Sequence, residues 1–162
     1  MIRSVRAWTF GVMTLCLSSA AFADSHGGTN SADAVMVEDP YVRAVPAGQP
    51  NSAAFMTLAN HSDEDVAIIN GSSPVANVVE LHTHVHEGGM MKMRQIDKID
   101  VDANGSTELK PGGLHVMLIG LKQELHEGDH VSVTLEFNDG SSKTIDAPVK
   151  NVMSGMKMNG GK

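Results

Sequence analysis

From residue 34 onward the chain alternates short apolar stretches with turn-forming residues, which is typical of β-strands. No segment shows the 3.6-residue apolar period of a helix over a helical length. Dipeptides such as Asn70-Gly71 and Gly88-Gly89 mark turns between the apolar stretches. The predicted strands are Val35–Val45, Ser52–Asn60, Asp65–Asn70, Ala76–His86, Met91–Ile96, Thr107–Leu109, Leu114–Leu118, His130–Asn138 and Ser142–Val149. The pattern predicts an all-β domain, a Greek-key β-barrel or sandwich of about nine short strands.

Residues 1–23 have the features of a cleaved secretory signal peptide. Arg3 and Arg6 form a basic head, and a mostly apolar stretch over residues 7–21 follows it. This stretch is shorter than the ~20 residues that a membrane-spanning helix needs. The small-x-small sequence Ala21-Phe22-Ala23 predicts cleavage before Asp24, and we expect the mature protein in a periplasm or outside the cell.

Removal of the signal peptide takes away Cys16, the only cysteine of the chain. Thr14 and Leu15 precede Cys16 in place of small residues, so we expect no lipoprotein anchor. A mature chain without a thiol excludes disulfides, thiolate metal sites and thiol–disulfide exchange. It loses two of the 12 basic residues and none of the 19 acidic ones, which leaves a formal charge of 10 − 19 = −9. This charge argues against binding to nucleic acid or to anionic lipid.

Two polar segments flank the predicted domain, which we place at residues 34–149. Residues 24–33 contain Gly, Ser and Asn without an apolar stretch and are expected to form a flexible leader. Residues 150–162 offer little to bury and are expected to be disordered. The three methionines of this tail, which are candidates for weak Cu(I) capture, are Met153, Met156 and Met158.

Histidine and methionine are concentrated between His82 and Met117, at spacings that place them on strand faces. His82, His84 and His86 alternate along one predicted strand and therefore share a face, and so do His115 and Met117 on another. Imidazoles and thioethers are neutral donors, and thioether sulfur is soft, so this set favours Cu(I) over Cu(II) or Zn(II). Calcium and magnesium prefer oxygen ligands.

The turn at Gly88-Gly89 decides which histidine approaches Met93. A two-residue turn would place His84 opposite Met93, nearer than His82. It would also place Lys92 and Arg94 on the face of the apolar residues Val79, Leu81 and Val85, which does not suit a core. We therefore expect a longer loop or a bulge here. Strand periodicity by itself does not decide whether His82 or His84 is the copper ligand.

The spacing His82-(ten residues)-Met93-(twenty-one residues)-His115-x-Met117 closely resembles the motif of the periplasmic copper chaperone family PCu(A)C. The sequences VVELHTHVHEGGMMKMRQI and LKPGGLHVMLIGLK carry the resemblance, which extends over roughly residues 35–149. It implies a cupredoxin-like β-barrel whose Cu(I) ligands are His82, Met93, His115 and Met117. It also implies copper delivery to the copper-site subunit of cytochrome c oxidase, alongside Sco-type thiol proteins. The remaining donors of the stretch, considered as second-shell or transfer residues, are His84, His86, Met90 and Met91.

A second metal site is predicted at the mature N-terminus. Cleavage before Asp24 leaves Asp24, Ser25 and His26 with a free amine. That amine, two backbone amides and the imidazole suit square-planar Cu(II) or Ni(II). His61, His126 and His130 lie beside turn residues and are interpreted as structural.

The leading functional hypothesis is a monomeric Cu(I) metallochaperone. Copper buffering or resistance without a dedicated recipient fits the same donors. A blue-copper electron carrier needs a cysteine thiolate, which the mature chain lacks. No catalytic triad or phosphate-binding loop is present, so we do not expect an enzyme.

Overall fold

The computed structural model describes residues 30–151. The predicted signal peptide and the candidate ligands at both ends of the chain lie outside the described residues; these ligands are Asp24, Ser25, His26, Met153, Met156 and Met158. The elements, in chain order, are the helix α1 (Ser31–Ala34) and the strands β1 (Val35–Arg43), β2 (Asn51–Asn60), β3 (Val66–Ser72), β4 (Ala76–Glu87), β5 (Met90–Gln95), β6 (Ile99–Val101), β7 (Ser106–Leu109), β8 (His115–Leu121), β9 (His130–Phe137) and β10 (Ser142–Lys150).

The strands form one continuous sheet in the order β5-β4-β8-β2-β1-β10-β9-β3-β6, with β7 pairing to β2. All pairs are antiparallel except β1 and β10, which meet in parallel near Val42 and Val149. The predicted all-β fold is therefore confirmed. One edge of the sheet is β5, and β4 lies between β5 and β8.

Each of the nine predicted strands has a counterpart, and β6 is an additional one. This strand has only three residues, and it pairs Ile99 with Ile68 and Val101 with Val66 of β3. Three residues are too few for a period of two to stand out in the sequence.

Part of the segment that was expected to be a flexible leader packs against the domain. Asn30 caps α1 by accepting a hydrogen bond from Asp33 N at 2.9 Å, and Ser31 and Ala32 are buried. The carboxylate of Asp139 accepts a hydrogen bond from Ser31 N at 2.7 Å. Residues 31 and 32 therefore contact the β-domain, and the boundaries predicted at residues 24–33 and 34–149 stay predictions.

An aliphatic core fixes which face of β8 is free for chemistry. Val116 and Leu118 are fully buried in the core, next to Leu81 of β4. Because side chains alternate along a strand, His115 and Met117 project from the opposite face of β8.

The β4–β5 connection contradicts our expectation of a longer loop or a bulge. Gly88 and Gly89 form a two-residue turn with φ of 61° and 76°, and Glu87 pairs directly with Met90. Positive φ at both turn residues is the requirement of a type I′ hairpin. The expectation was wrong because β5 is an edge strand whose six residues are all exposed, so its basic side chains need no core. Lys92 and Arg94 instead lie 3.5 and 3.8 Å from the carboxylate of Glu87.

Candidate metal centre

Strand register brings the predicted ligands onto one face of the sheet. His82 pairs directly with His115 across β4 and β8, and Glu80 pairs with Met117. On the other side of β4, His84 pairs directly with Met93 of β5. Residues that face each other in an antiparallel pair project their side chains to the same side, with Cβ atoms about 5 Å apart. We call this side of the sheet, opposite the core, the donor face; it includes His82, His84, Met93, His115 and Met117.

His115 is the buried centre of the donor face, with 2% of its surface exposed. Its ring centroid lies 5.8 Å from that of His82 and 5.2 Å from that of His84. Its Nδ1 lies 3.0 Å from the carbonyl oxygen of Gly113, so Nδ1–H donates and Nε2 keeps its lone pair. Burial lowers the pKa of His115; the hydrogen bond to Gly113 opposes that shift, and the nearby His84 and His82 add to it. His115 is therefore held in the neutral form that binds metals.

His82 presents the opposite ring nitrogen. Its Nε2 lies 2.7 Å from Oε2 of Glu80, and because a carboxylate accepts, Nε2–H is the donor. This tautomer leaves a lone pair on Nδ1, which is buried and has no hydrogen-bond partner among the described residues. Such an atom costs about 1–3 kcal/mol unless it is satisfied. A carboxylate that orients the second nitrogen of a metal-binding histidine is a common arrangement in metal sites.

His84 is held less firmly than either of these histidines. Its Nδ1 lies 3.4 Å from the carbonyl oxygen of Gly113, which is a long hydrogen bond. A surface cleft opens over the donor face, and Met93, His115 and Met117 line it. His84 also lines this cleft, whereas His82 does not. The cleft measures about 800 Å³, far more than one ion occupies, and Met93 on the edge strand is 53% exposed. The donor face is therefore accessible from solvent.

The other donors of the central stretch separate by strand parity. His86 pairs directly with Met91, one step nearer the turn and on the donor face. Met90 pairs with Glu87 and therefore lies on the opposite face, away from the cleft.

Glu80 was not among the predicted site residues. It stands two residues before His82 on the same strand face, a spacing that was available as a signal. Two of the three histidines interpreted as structural have acidic partners: His130 Nδ1 lies 2.8 Å from Asp146, and His126 Nε2 lies 3.2 Å from Glu124. His126 also lines the cleft.

Within residues 30–151, no three His, Cys, Asp or Glu side chains are grouped so that they hold a metal ion. The register instead brings imidazoles together with thioethers, and these donors suit a soft monovalent ion. In the same part of the chain, no helix is long and apolar enough to cross a membrane.

Several solved structures of similar fold are PCuAC domains. The Cu(I) form of DR1885 from Deinococcus radiodurans is 34% identical with a TM-score of 0.62, covering 81% of this chain and 87% of that one. The copper-bound PCuAC domain of PmoF2 is 24% identical with a TM-score of 0.62, covering 75% of this chain and 97% of that one. The chain therefore has a cupredoxin-like domain of the PCuAC type, which confirms the expected fold and the resemblance to PCu(A)C.

The family follows from the sequence comparison. Residues 35–149 match the model of the family described as "Putative lipoprotein LpqE-like", and the chain belongs to this family. The relative "Putative lipoprotein Lxx21020" of Leifsonia xyli subsp. xyli (strain CTCB07) is 34% identical over 152 residues, or 91% of this chain and 90% of the relative.

Proposed function

We propose that this protein is a periplasmic metallochaperone that binds one Cu(I) through His82, Met93, His115 and Met117. The observation that carries the proposal is the buried, unpartnered Nδ1 of His82, which lies on the same sheet face as His115. The proposed donor atoms are Nδ1 of His82, Nε2 of His115 and the two thioether sulfurs. Four neutral donors suit Cu(I), because they satisfy the ion without the charge that Zn(II) or Cu(II) sites usually supply.

The choice of His82 over His84 rests on its hydrogen bonds. Glu80 fixes His82 in the tautomer that leaves Nδ1 as a free donor, and binding of a metal would remove the cost of this unpaired atom. His84 has no comparable partner, and its hydrogen bond to Gly113 is long. We therefore assign His84 to the surroundings of the site.

The environment of the site also supports a role in delivery. Met93 is half exposed on the edge strand, so a partner can reach the ion without unfolding the domain. A thiolate is a stronger donor for Cu(I) than a thioether, so transfer to a thiol protein would be favourable. The copper-bound form of DR1885 supports copper binding by a related domain. The Sco-type partner and the copper-site subunit of cytochrome c oxidase follow from the family resemblance and belong to this proposal.

The ligand assignment is tested by anaerobic competition for Cu(I) against a chromophoric chelator. Met93→Leu combined with His115→Gln is expected to weaken binding by more than about 100-fold, above the usual effect of removing an outer-shell partner. Met36→Leu combined with His130→Gln is the control, because it makes the same two chemical changes, at an exposed methionine and at a histidine away from the donor face. An unchanged affinity of the first double variant would refute the site. X-ray absorption of the loaded protein is expected to show both sulfur and nitrogen ligands.

Buffering without a recipient is the alternative to delivery. Deleting the gene separates the two functions: loss of oxidase activity at low copper supports delivery, whereas sensitivity to copper alone supports sequestration. Size-exclusion chromatography of the secreted protein tests the proposed monomer.

The auxiliary sites are also proposals. A Cu(II) site at Asp24, Ser25 and His26 requires that mass spectrometry of the secreted protein show Asp24 as the first residue, and the same spectrum tests the absence of a lipid on Cys16. Removal of residues 150–162 tests Met153, Met156 and Met158: unchanged copper stoichiometry and transfer rate would exclude them.

A further inference from the structure

The β4–β5 hairpin carries a row of histidine–methionine pairs that extends beyond the proposed site toward the turn. His84 pairs directly with Met93, and His86 pairs directly with Met91 in the next position toward the turn. Both pairs combine one imidazole with one thioether, and both lie on the donor face. Pairs two residues apart on a strand are separated by about 6.7 Å, and the two members of a pair have Cβ atoms about 5 Å apart. One ion can therefore be shared within the His86–Met91 pair and then reach the site in a single short step.

Exposure of the histidines decreases along this row toward the site, whereas both methionines are about half exposed. Met91 is 51% exposed and Met93 53% exposed, His84 is half-buried, and His115 is 2% exposed. His86 is exposed near the tip of the hairpin. The row therefore connects solvent with the buried imidazole of His115.

Met91 leans toward the cleft. A Cβ built on Gly112 would lie 3.7 Å from Cε of Met91, and Gly112 lines the cleft. The next residue, Gly113, is the one whose carbonyl accepts the hydrogen bond from His115. The thioether of Met91 therefore lies close to the loop at Gly112 and Gly113, which supplies the hydrogen-bond acceptor of His115.

An exposed methionine on an edge strand usually needs no functional reason. Met90, which is 62% exposed, lies on the opposite face of the same strand beside Glu87. Met36 on β1 is 53% exposed and pairs with Ala59. Neither has a histidine as its cross-strand partner, whereas Met91 does. This difference makes Met90 and Met36 controls of equal chemistry.

We propose that His86 and Met91 form a second, weaker Cu(I) site through which the ion passes between a thiol donor or acceptor and the ligands His82, Met93, His115 and Met117. On entry, bonds form from Cu(I) to Met91 sulfur and His86 nitrogen while the bond to the partner's thiolate breaks. The thiolate leaves with its electron pair and takes a proton from water, and copper stays monovalent throughout. The ion then exchanges these two donors for Met93 and the buried ligands. The inference rests on the proposed function.

The test uses the full mature chain and Cu(I) presented as its glutathione complex. Rates of uptake are measured by stopped flow, and equilibrium affinity by chelator competition. The variant His86→Gln/Met91→Leu is expected to keep its affinity for the first Cu(I) within about twofold and to take up the ion at least about tenfold more slowly. Met90→Leu and Met36→Leu are expected to behave as the wild type in both measurements.

Methyl NMR of 13C-methionine protein separates the two proposals. Met93 and Met117 methyl signals are expected to shift with the first equivalent of Cu(I), and the Met91 signal with the second. An unchanged uptake rate in the double variant, or an unshifted Met91 signal, would overturn the transit site while the primary site stands. Unshifted Met93 and Met117 signals would overturn the proposed function itself.

Discussion

Glu80 determines which nitrogen of His82 is left free to bind a metal, and replacing it gives the sharpest test of the proposed site. Oε2 of Glu80 lies 2.7 Å from Nε2 of His82, and the two side chains are only 28% and 15% exposed. In Glu80→Gln the amide can accept from Nε2–H as a neutral group or donate to Nε2. The second arrangement moves the ring proton to Nδ1 and blocks the proposed donor atom.

The size of the effect follows from the strength of this contact. A hydrogen bond to a charged group contributes about 1.5–3 kcal/mol and one to a neutral group about 0.5–1.5 kcal/mol. Glu80→Gln is therefore expected to weaken the hydrogen bond that orients the His82 ring by roughly 1 kcal/mol. That loss corresponds to about fivefold weaker Cu(I) binding. Glu80→Ala removes the acceptor entirely and is expected to weaken binding about 10–100-fold, as for other outer-shell partners.

Two measurements check the reasoning about Glu80. Chelator competition gives the affinities, and long-range 1H–15N correlation of apo protein reports the tautomer of His82. Wild type is expected to show Nε2 protonated and Nδ1 bare. Glu87→Gln is the matched control, because this carboxylate is on β4 but on the other face, beside Lys92 and Arg94. Affinity within twofold of wild type in Glu80→Ala, or a protonated Nδ1 in wild type, would refute the assignment.

Four further predictions concern pH and stability. Burial lowers the pKa of His115 from its ordinary value of 6.5. Protons are therefore expected to compete with Cu(I) for His115 only at a lower pH than for a free imidazole, and Cu(I) competition titrations from neutral pH to below pH 6.5 check this expectation. In apo protein the unfolded chain takes up that proton first, so stability to urea falls as pH drops below 6.5 and levels off below the folded pKa. Hydrogen bonds from Ser141 and Ser31 hold the pKa of Asp139 far below 3.8. Asp139→Asn is therefore expected to cost about 1–2 kcal/mol in urea unfolding near neutral pH, a difference that disappears as pH falls through the folded pKa. Gly120 has φ of 66°, and a Cβ there would lie 2.7 Å from Nδ2 of Asn77, so Gly120→Ala is expected to cost about 1–3 kcal/mol by calorimetry.

The sequence period of two predicted which donors of one strand share a face, because the alternation of side chains depends only on positions within that strand. The shared face of His82, His84 and His86, and that of His115 and Met117, follow from a period of two and agree with the observed register. The same rule predicted the pairing of His84 with Met93 for a two-residue turn. We expected a longer loop or a bulge instead, because this pairing places Lys92 and Arg94 on the face of β4 that packs against the core further along the strand. Sequence alone does not reveal where along β4 the core ends.

The pairing of β4 with β8 was not predictable in the same way. It joins segments that are distant in sequence, and their register depends on packing of the whole sheet. The two-residue spacing places Glu80 on the same strand face as His82, but the role of Glu80 also depends on the burial of Nδ1, which requires that His82 lie opposite His115. The choice between the two histidines therefore needed the three-dimensional arrangement or the family resemblance.

Burial gives the proposed ligands an order of release. His115 and Met117 belong to β8, which is paired on both sides within the sheet, and His115 is almost fully buried. Met93 belongs to the exposed edge strand, and its thioether is a neutral ligand on a mobile side chain. An incoming thiolate therefore meets Met93 first, and we expect its bond to copper to exchange before the others do. Met93→Leu is accordingly expected to speed release of Cu(I) to glutathione more than Met117→Leu does, measured by stopped flow from the loaded protein. Equal release rates in the two variants would show that burial does not set the order.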